Sequence, residues 1–327
     1  MRRTGMRRTT VLGVLIAAGA LSMTLAAYQQ KPATPNVVEV EKLKDNLFLL
    51  KGGGGNTAVF VQANGITVVD TKLPGWGQPI LVKIKELSNK PITRIINSHT
   101  HGDHVSGNVD FPPTVDIVAQ ENTAANMKKM IPNSSAADQT VPAKTIFEEH
   151  EGRGLAKKTF KDKMTLDSGA DQIDLYYFGP GHTNGDAIVV FPALRTAHTG
   201  DLFAGKTLPL VDGDNGGSFL HYDGTLDKVH AGIRNVDTII NGHMPTQTTW
   251  ADLKTFAEFN RDVRMWAEAG LKAGKTPEQL ADEGWKVPEK YSGYPKEVAN
   301  PRTPPPNPPL FGGLAGRIKK LQAEIQK

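Results

Sequence analysis

The 327-residue chain contains no cysteine. Disulfide cross-links, thiolate metal ligands and a thiol nucleophile are therefore excluded, as is a lipid-modified N-terminal cysteine. Stability must come from an apolar core and any bound metal, which a chain of about 300 residues can supply. A lasting excess of positive charge is also missing. The formal net charge is +4, and residues 1–27 hold four arginines and no acid, so beyond them 34 basic residues face 34 acidic ones. Nucleic-acid-binding domains carry a basic face, so no nucleic-acid partner is expected.

Long apolar runs are scarce too. The one that stands out, residues 11–27, follows Arg2, Arg3, Arg7 and Arg8 and ends in Thr24-Leu25-Ala26-Ala27. About 17 residues is short for a membrane span, while a basic start and a small-residue end suit a cleaved signal peptide. Residues 1–27 are accordingly expected to direct export to the periplasm or outside the cell, through the Sec or, given the paired arginines, the twin-arginine route. No stable membrane association is expected after cleavage. Residues 28–36 read as a Pro-containing linker.

What the sequence does have is a dense block of metal-competent side chains, Asn97-Ser98-His99-Thr100-His101-Gly102-Asp103-His104. Three of the nine histidines fall within six positions, directly after the strand-like run 92–96. In an extended segment, side chains two apart point the same way, so His99 and His101 can face one ion. A turn at Gly102 lets Asp103 and His104 be aimed at a second position beside it. Imidazole and carboxylate suit zinc and related divalent ions. Three further candidates follow: Gly179-Pro180-Gly181-His182-Thr183-Asn184-Gly185-Asp186, then His198-Thr199-Gly200-Asp201, then Asn241-Gly242-His243. Each lies just past an apolar, strand-like run, where a rigid sheet can present a site from its loops.

In order, spacing and strand context, HTHGDH, GPGHTNGD, TGD and NGH resemble the motifs of the metallo-β-lactamase superfamily over roughly residues 37–250. The resemblance implies an α/β fold, an αββα sandwich of two sheets with helices outside. It implies two Zn²⁺ per chain, one held by His99, His101 and His182, the other by Asp103, His104 and His243, with Asp201 bridging. Asp103 is also a candidate proton shuttle. The implied activity is hydrolysis of a small-molecule substrate by a metal-bound hydroxide attacking a carbonyl, of the β-lactam amide type or of a lactone, ester or thioester. An alternative of another class is a non-catalytic metal-binding or sulfur-transfer protein on the same scaffold.

Departures within the family narrow this. Asp201 stands where the Cys-type β-lactamases have their cysteine ligand, as in the glyoxalase II and lactonase branches. Ala204 stands where those enzymes carry a lysine that grips the substrate carboxylate; Lys206 is close enough to substitute for it, or is simply an exposed loop lysine. His101 is kept where redox relatives have Glu, which favours hydrolysis. Asp70, at the end of the apolar run 66–69, matches a position that supports the metal loops. His221, after the glycine-rich loop 212–218, is a candidate for the substrate cleft.

Elsewhere, strands are expected over 37–42, 47–51, 57–62 and 65–71, with Gly52–Gly55 as a hairpin loop, and helices over 78–87 and 123–130. Residues 131–165 read as an irregular excursion on the site rim. Trp250, Leu253, Phe256, Phe259, Val263 and Trp266 recur at helical spacing, and Thr276-Pro277-Glu278-Gln279 is a helix start, so 251–300 reads as a helical extension. Within 301–327 a Pro-rich tail and a short terminal helix over 317–327 are expected.

Overall fold

The computed structural model of the chain describes residues 36–130, 144–299 and 312–327. The expected signal peptide, nearly all of the expected linker, the first part of the 131–165 segment and the Pro-rich stretch lie outside them. The first half runs β1 (Glu39–Lys44), β2 (Leu47–Lys51), β3 (Thr57–Val61), β4 (Ile66–Val69), α1 (Gly77–Leu87), β5 (Ile92–Asn97), the single turn α2 (Gly102–Val105), β6 (Asp116–Gln120), α3 (Glu121–Met127), α4 (Ile146–Glu149) and β7 (Lys158–Phe160). These strands form one seven-stranded sheet in sequence order, antiparallel through β4 and parallel from β4 to β7.

The second half runs β8 (Lys163–Leu166), β9 (Ile173–Tyr176), β10 (Ile188–Phe191), β11 (Thr196–Gly200), α5 (Tyr222–Gly232), β12 (Thr238–Asn241) and β13 (Thr248–Thr249). It makes a six-stranded sheet, β13-β12-β11-β10-β9-β8, in which β11 and β12 are parallel. The chain ends in α6 (Trp250–Lys272), α7 (Pro277–Glu283), a small hairpin of β14 (Trp285–Lys286) and β15 (Glu297–Val298), and α8 (Gly313–Ile325).

The strands read as continuous apolar runs because both faces of each sheet are covered. Successive residues serve different layers. Val69 and Ile96 point inward to meet Val189, Phe191 and Ile240 of the other sheet. Val68 and Ile95 point outward onto Ile80 and Ile84 of α1. Ile188, Val190 and Ile239 point outward onto Leu226, Phe256, Val263, Ile318 and Leu321 of α5, α6 and α8. This is the αββα sandwich, and the C-terminal helices belong to its core rather than to a separate body. Phe60 and Phe191 join the sheets at a centroid separation of 5.1 Å, and truncating either to alanine would cost about 3–5 kcal/mol.

The helix starts in 251–300 are capped as their sequences require: Thr249 with Asp252 and Thr276 with Gln279 both form capping boxes. That segment also holds the β14–β15 hairpin. Two expectations change. The described part of 131–165 is not an irregular excursion, because β7 and β8 complete one edge of each sheet. Only Phe160 and Leu166 of these short edge strands are buried, so their alternation is faint in the sequence. The terminal helix begins at Gly313 rather than Arg317, since burying Leu314 beside Ile318 and Leu321 outweighs the poor propensity of its glycines.

The loops that follow β4, β5, β11 and β12 leave their strands at carboxyl ends, the edge where open α/β sheets place their sites.

Candidate active site

Ser98 to His104 leave β5 as an extended segment that turns into α2, with Gly102 its first residue. The segment is held from below by Asp70, which follows β4 and is fully buried. Asp70 Oδ1 accepts the Ser98 amide at 2.8 Å, and Oδ2 accepts the Ser98 hydroxyl at 2.6 Å and His104 Nδ1–H at 2.7 Å. Ser98 Oγ in turn lies 3.0 Å from His99 Nδ1. Its own proton is given to Asp70, so the His99 Nδ1–H is the donor and His99 Nε2 carries the lone pair.

The same logic fixes two more rings. His101 Nε2–H donates to Asp212 Oδ2 at 2.7 Å. His182 Nδ1–H donates to the Leu210 carbonyl at 2.9 Å. The remaining nitrogens, His101 Nδ1 and His182 Nε2, face each other at 2.9 Å. On the other side, His104 Nε2 lies 3.4 Å from His243 Nε2 and 3.3 Å from Asp201 Oδ1. Asp103 Oδ2 lies 3.3 Å from His243 Nε2 and 3.7 Å from His104 Nε2. Asp201 Oδ2 reaches both halves, at 3.1 Å from His243 Nε2 and 3.7 Å from His182 Nε2.

All seven residues expected from the four motifs thus converge. His99, His101, His182 and Asp201 form one group with ligand atoms within 4.8 Å of one another, and Asp103, His104 and His243 form another. The Asp201 loop is placed by Gly200, whose φ of +50° a side chain rarely adopts and where a Cβ would lie 2.5 Å from Ser98 Oγ. Gly242 is needed for closeness alone: its Cβ would lie 2.0 Å from Asp201 Oδ1. Tyr222, fully buried, donates to the Asp201 and Leu202 carbonyls.

The donor set fits divalent cations. On the side of His99, His101 and His182 lone pairs face the cluster, and His99 Nε2 is buried without a hydrogen-bond partner. Burying such a group unpaired is costly, and a coordinated ion removes the cost. The electrostatics agree. Burial, aided by neighbouring rings, holds His99 well below the usual histidine range, and burial beside His101 pushes His182 down to about 3, so both are neutral ligands. For His104 burial opposes charge, yet the carboxylates of Asp201, Asp103 and Asp70 raise it well above that range. His243 is raised in the same way by Asp201 against the pull of burial.

Lys206 and His221 do not join this cluster. Lys206 Nζ is ion-paired with Asp252 at 2.7 Å, at the first turn of α6. His221 is the exposed residue before α5. His198 is buried and donates Nε2–H to the Asn56 carbonyl at 3.0 Å, a structural contact.

Two residues near the site were not singled out in the sequence. Asp212 orients His101, and its position in an Asp-Gly-Asp-Asn-Gly-Gly loop was its only signal. Lys72, fully buried, donates to the carbonyls of Leu50 and Gly55 at 2.9 and 2.6 Å. It thereby closes the glycine loop whose Gly55 lies against the His104 ring. Burial, partly offset by Asp70 and Asp103, brings its ammonium down to about 7. The signal was a lysine directly after a run of buried residues.

Comparison with known proteins agrees with this geometry. Hydroxyacylglutathione hydrolase of Nostoc punctiforme is 31% identical over 175 residues, covering 53% of either chain. The metallo-beta-lactamase type 2 of Elizabethkingia meningoseptica is 26% identical over 53% of this chain and 64% of its own. The chain spans about half the length of the hydroxyacylglutathione hydrolases of Nostoc punctiforme and Crocosphaera subtropica. In structure, a metallo-beta-lactamase from Pontibacter korlensis aligns with TM-score 0.55 and 17% identity over 69% of this chain and 99% of that one, a likeness of fold. The profile of the metallo-beta-lactamase superfamily matches residues 50–243, from the end of β2 to the last residue of the cluster. With a profile match over more than half its length, an αββα sandwich and a His/Asp cluster at the strand ends, the chain belongs to the metallo-beta-lactamase superfamily.

Proposed function

We infer that the protein is a dinuclear zinc hydrolase of acyl compounds, acting on an ester or thioester carbonyl in preference to a β-lactam. The observation that carries the reading is Asp201, whose two oxygens reach His104 at 3.3 Å, His243 at 3.1 Å and His182 at 3.7 Å, so one carboxylate serves both halves of the cluster. His99, His101 and His182 would hold one ion, and Asp103, His104 and His243 the other. When bound, such a pair lowers the pKa of water from 15.7 to roughly 7 and polarises the carbonyl. The residues of the chain do the rest. Asp70 and Asp212 orient His104 and His101, and Asp103, with its side chain 29% exposed, stands at the solvent side, where its Oδ2 would take the proton released by the attacking water and hand it to the leaving group.

The substrate preference is supported by two features. The relatives named hydroxyacylglutathione hydrolases act on a thioester. Lys206, the residue that could have gripped a β-lactam carboxylate, is committed to Asp252. The match to the Elizabethkingia β-lactamase keeps lactam hydrolysis as the second reading. We also read residues 1–27 as an export signal; exported protein would then begin near Ala27 or Tyr28, and finding Met1 at its N-terminus would contradict this.

The test is a panel on the zinc-loaded protein: a hydroxyacyl thioester, an acyl lactone and a cephalosporin. The thioester or lactone is expected to exceed the cephalosporin in kcat/KM by at least about tenfold. The reverse order would make the protein a β-lactamase, and no turnover of any by a protein that binds zinc would favour a non-catalytic role.

A further inference from the structure

The family profile ends at His243, and α8 lies seventy residues beyond it. Yet α8 touches the loop between Phe203 and Tyr222 at three places. Arg317, 3% exposed, donates Nε–H to the Pro209 carbonyl and Nη1–H to Gly313 O at 2.6 Å, within its own helix. The Lys320 side chain lies over Gly213, where an added Cβ would meet it at 3.4 Å. Glu324 Oε2 accepts the Leu220 amide at 3.0 Å. Leu314, Ile318 and Leu321 share a cluster with Val211 and Phe219 of the same loop.

That loop is not a bystander. The residue after Pro209 supplies the carbonyl that orients His182, and Asp212, two further on, supplies the carboxylate that orients His101. The Asp212 amide also donates to the His182 carbonyl at 2.9 Å. The same loop therefore orients the rings of two of the three histidines on one side of the cluster, and on the other side it makes only a backbone bond, from His243 N–H to the Ala204 carbonyl at 3.1 Å, ahead of the segment that α8 touches. Asp103 and His104 are held instead from Asp70 and the glycine loop.

A buried guanidinium is an expensive way to fasten a surface loop, because desolvation must be offset by well-placed acceptors. Burial lowers Arg317 to about 10, so it stays charged at neutral pH, and a charged donor makes a stronger bond to a carbonyl than a neutral one. Partners one shell out from a metal ligand commonly change metal affinity 10–100-fold when altered. Arg317 stands one bond further out, behind Leu210 and Asp212.

We propose that α8 is a positioning element of the metal centre: Arg317 clamps the Pro209 carbonyl and thereby sets the Leu210 carbonyl and Asp212 carboxylate that orient His182 and His101. The inference rests on the reading of the cluster as a two-metal site. It makes a selective statement, that loss of the clamp weakens the ion held by His99, His101 and His182 and spares the ion held by Asp103, His104 and His243.

The test uses the full chain. Zinc is titrated into metal-free wild type, Arg317→Met, Asp212→Asn and Leu321→Ala against a chromophoric chelator, and thermal melts of the metal-free proteins are recorded alongside. Wild type should bind two ions. Asp212→Asn marks the site concerned, and Arg317→Met should weaken the same ion by about tenfold with the other unchanged. Leu321→Ala removes core packing from α8 without touching the clamp; it should lower Tm and leave both affinities at wild-type values. If Arg317→Met does not melt cooperatively, Arg317→Lys, which keeps a cation, is titrated instead and should show a smaller loss at the same ion. Wild-type affinities in the Arg317 variant, or an equal loss in Leu321→Ala, would overturn the proposal. A wild type that binds no zinc would overturn the two-metal reading itself.

Discussion

His101 Nδ1 and His182 Nε2 face each other at 2.9 Å while the other nitrogen of each ring already donates its proton, to Asp212 and to Leu210. Two lone pairs at that distance repel unless a proton or a metal ion lies beside both. The outer partners therefore decide which nitrogen each ring offers, and the site is built two bonds deep.

The two halves of the centre should fail separately. Asp212→Asn is expected to weaken zinc at the His99, His101 and His182 position by about 10–100-fold, and Asp70→Asn to do the same at the Asp103, His104 and His243 position, where it binds His104 directly, with a smaller loss at the first position passed through Ser98 to His99. Competition titration of both variants checks the split. Equal loss at both positions from either change would show that the halves are not independently held.

Zinc uptake should depend on pH in two ways at the two positions. A metal competes with protons for its ligands. His104 and His243 are raised by their carboxylates, so metal-free protein carries protons there that zinc must displace. Affinity at that position should rise with pH through and above the usual histidine range of about 6.5. His99 and His182 are lowered by burial, so affinity at their position should stay comparatively flat between pH 6 and 8. Calorimetry in buffers of different ionisation enthalpy reads the protons released. Proton release confined to the His99, His101 and His182 position would contradict the assignment.

Lys72→Met should destabilise the metal-free protein, because the carbonyls of Leu50 and Gly55 lose their donor, at a cost of about 1–3 kcal/mol. The sign with pH is also set. Burial depresses the folded-state ammonium to about 7, below the unfolded value near 10.4. Between those values the unfolded chain binds the extra proton, so this lysine adds stability as pH rises. The Tm gap between wild type and variant should widen from pH 7 to pH 9. A constant or narrowing gap would mean that Lys72 stays charged in the fold.

Lys206→Ala should change KM for any substrate by less than about twofold and cost at most about 1 kcal/mol of stability, the range for a partly exposed ion pair. A large rise in KM for an anionic substrate alone would return Lys206 to the substrate site.

The cluster itself was legible in the sequence because its ligands are supplied as short blocks at strand ends: His99 to His104 are six consecutive positions, and His182, Asp201 and His243 each follow an apolar run. The sandwich was legible for the same reason, through runs such as Ile66–Val69 that are buried on both faces. Asp212, Leu210 and Arg317 were not. Their roles depend on a loop folding back onto residues 181–184 and on a helix more than a hundred residues later, and neither leaves a periodic trace. Lys206 illustrates the converse: proximity in sequence to Asp201 suggested a grip on substrate, and tertiary contact with Asp252 took that side chain elsewhere.

The central claim is that one carboxylate, Asp201, joins two metal positions. Elemental analysis of purified protein after zinc loading and gel filtration, for wild type and Asp201→Ala, tests it directly. Wild type should retain two zinc ions per chain. The variant should retain one or fewer and lose hydrolytic activity by more than about a hundredfold, beyond what an outer partner costs. Two zinc ions and wild-type turnover in Asp201→Ala, or no zinc in wild type, would contradict the account.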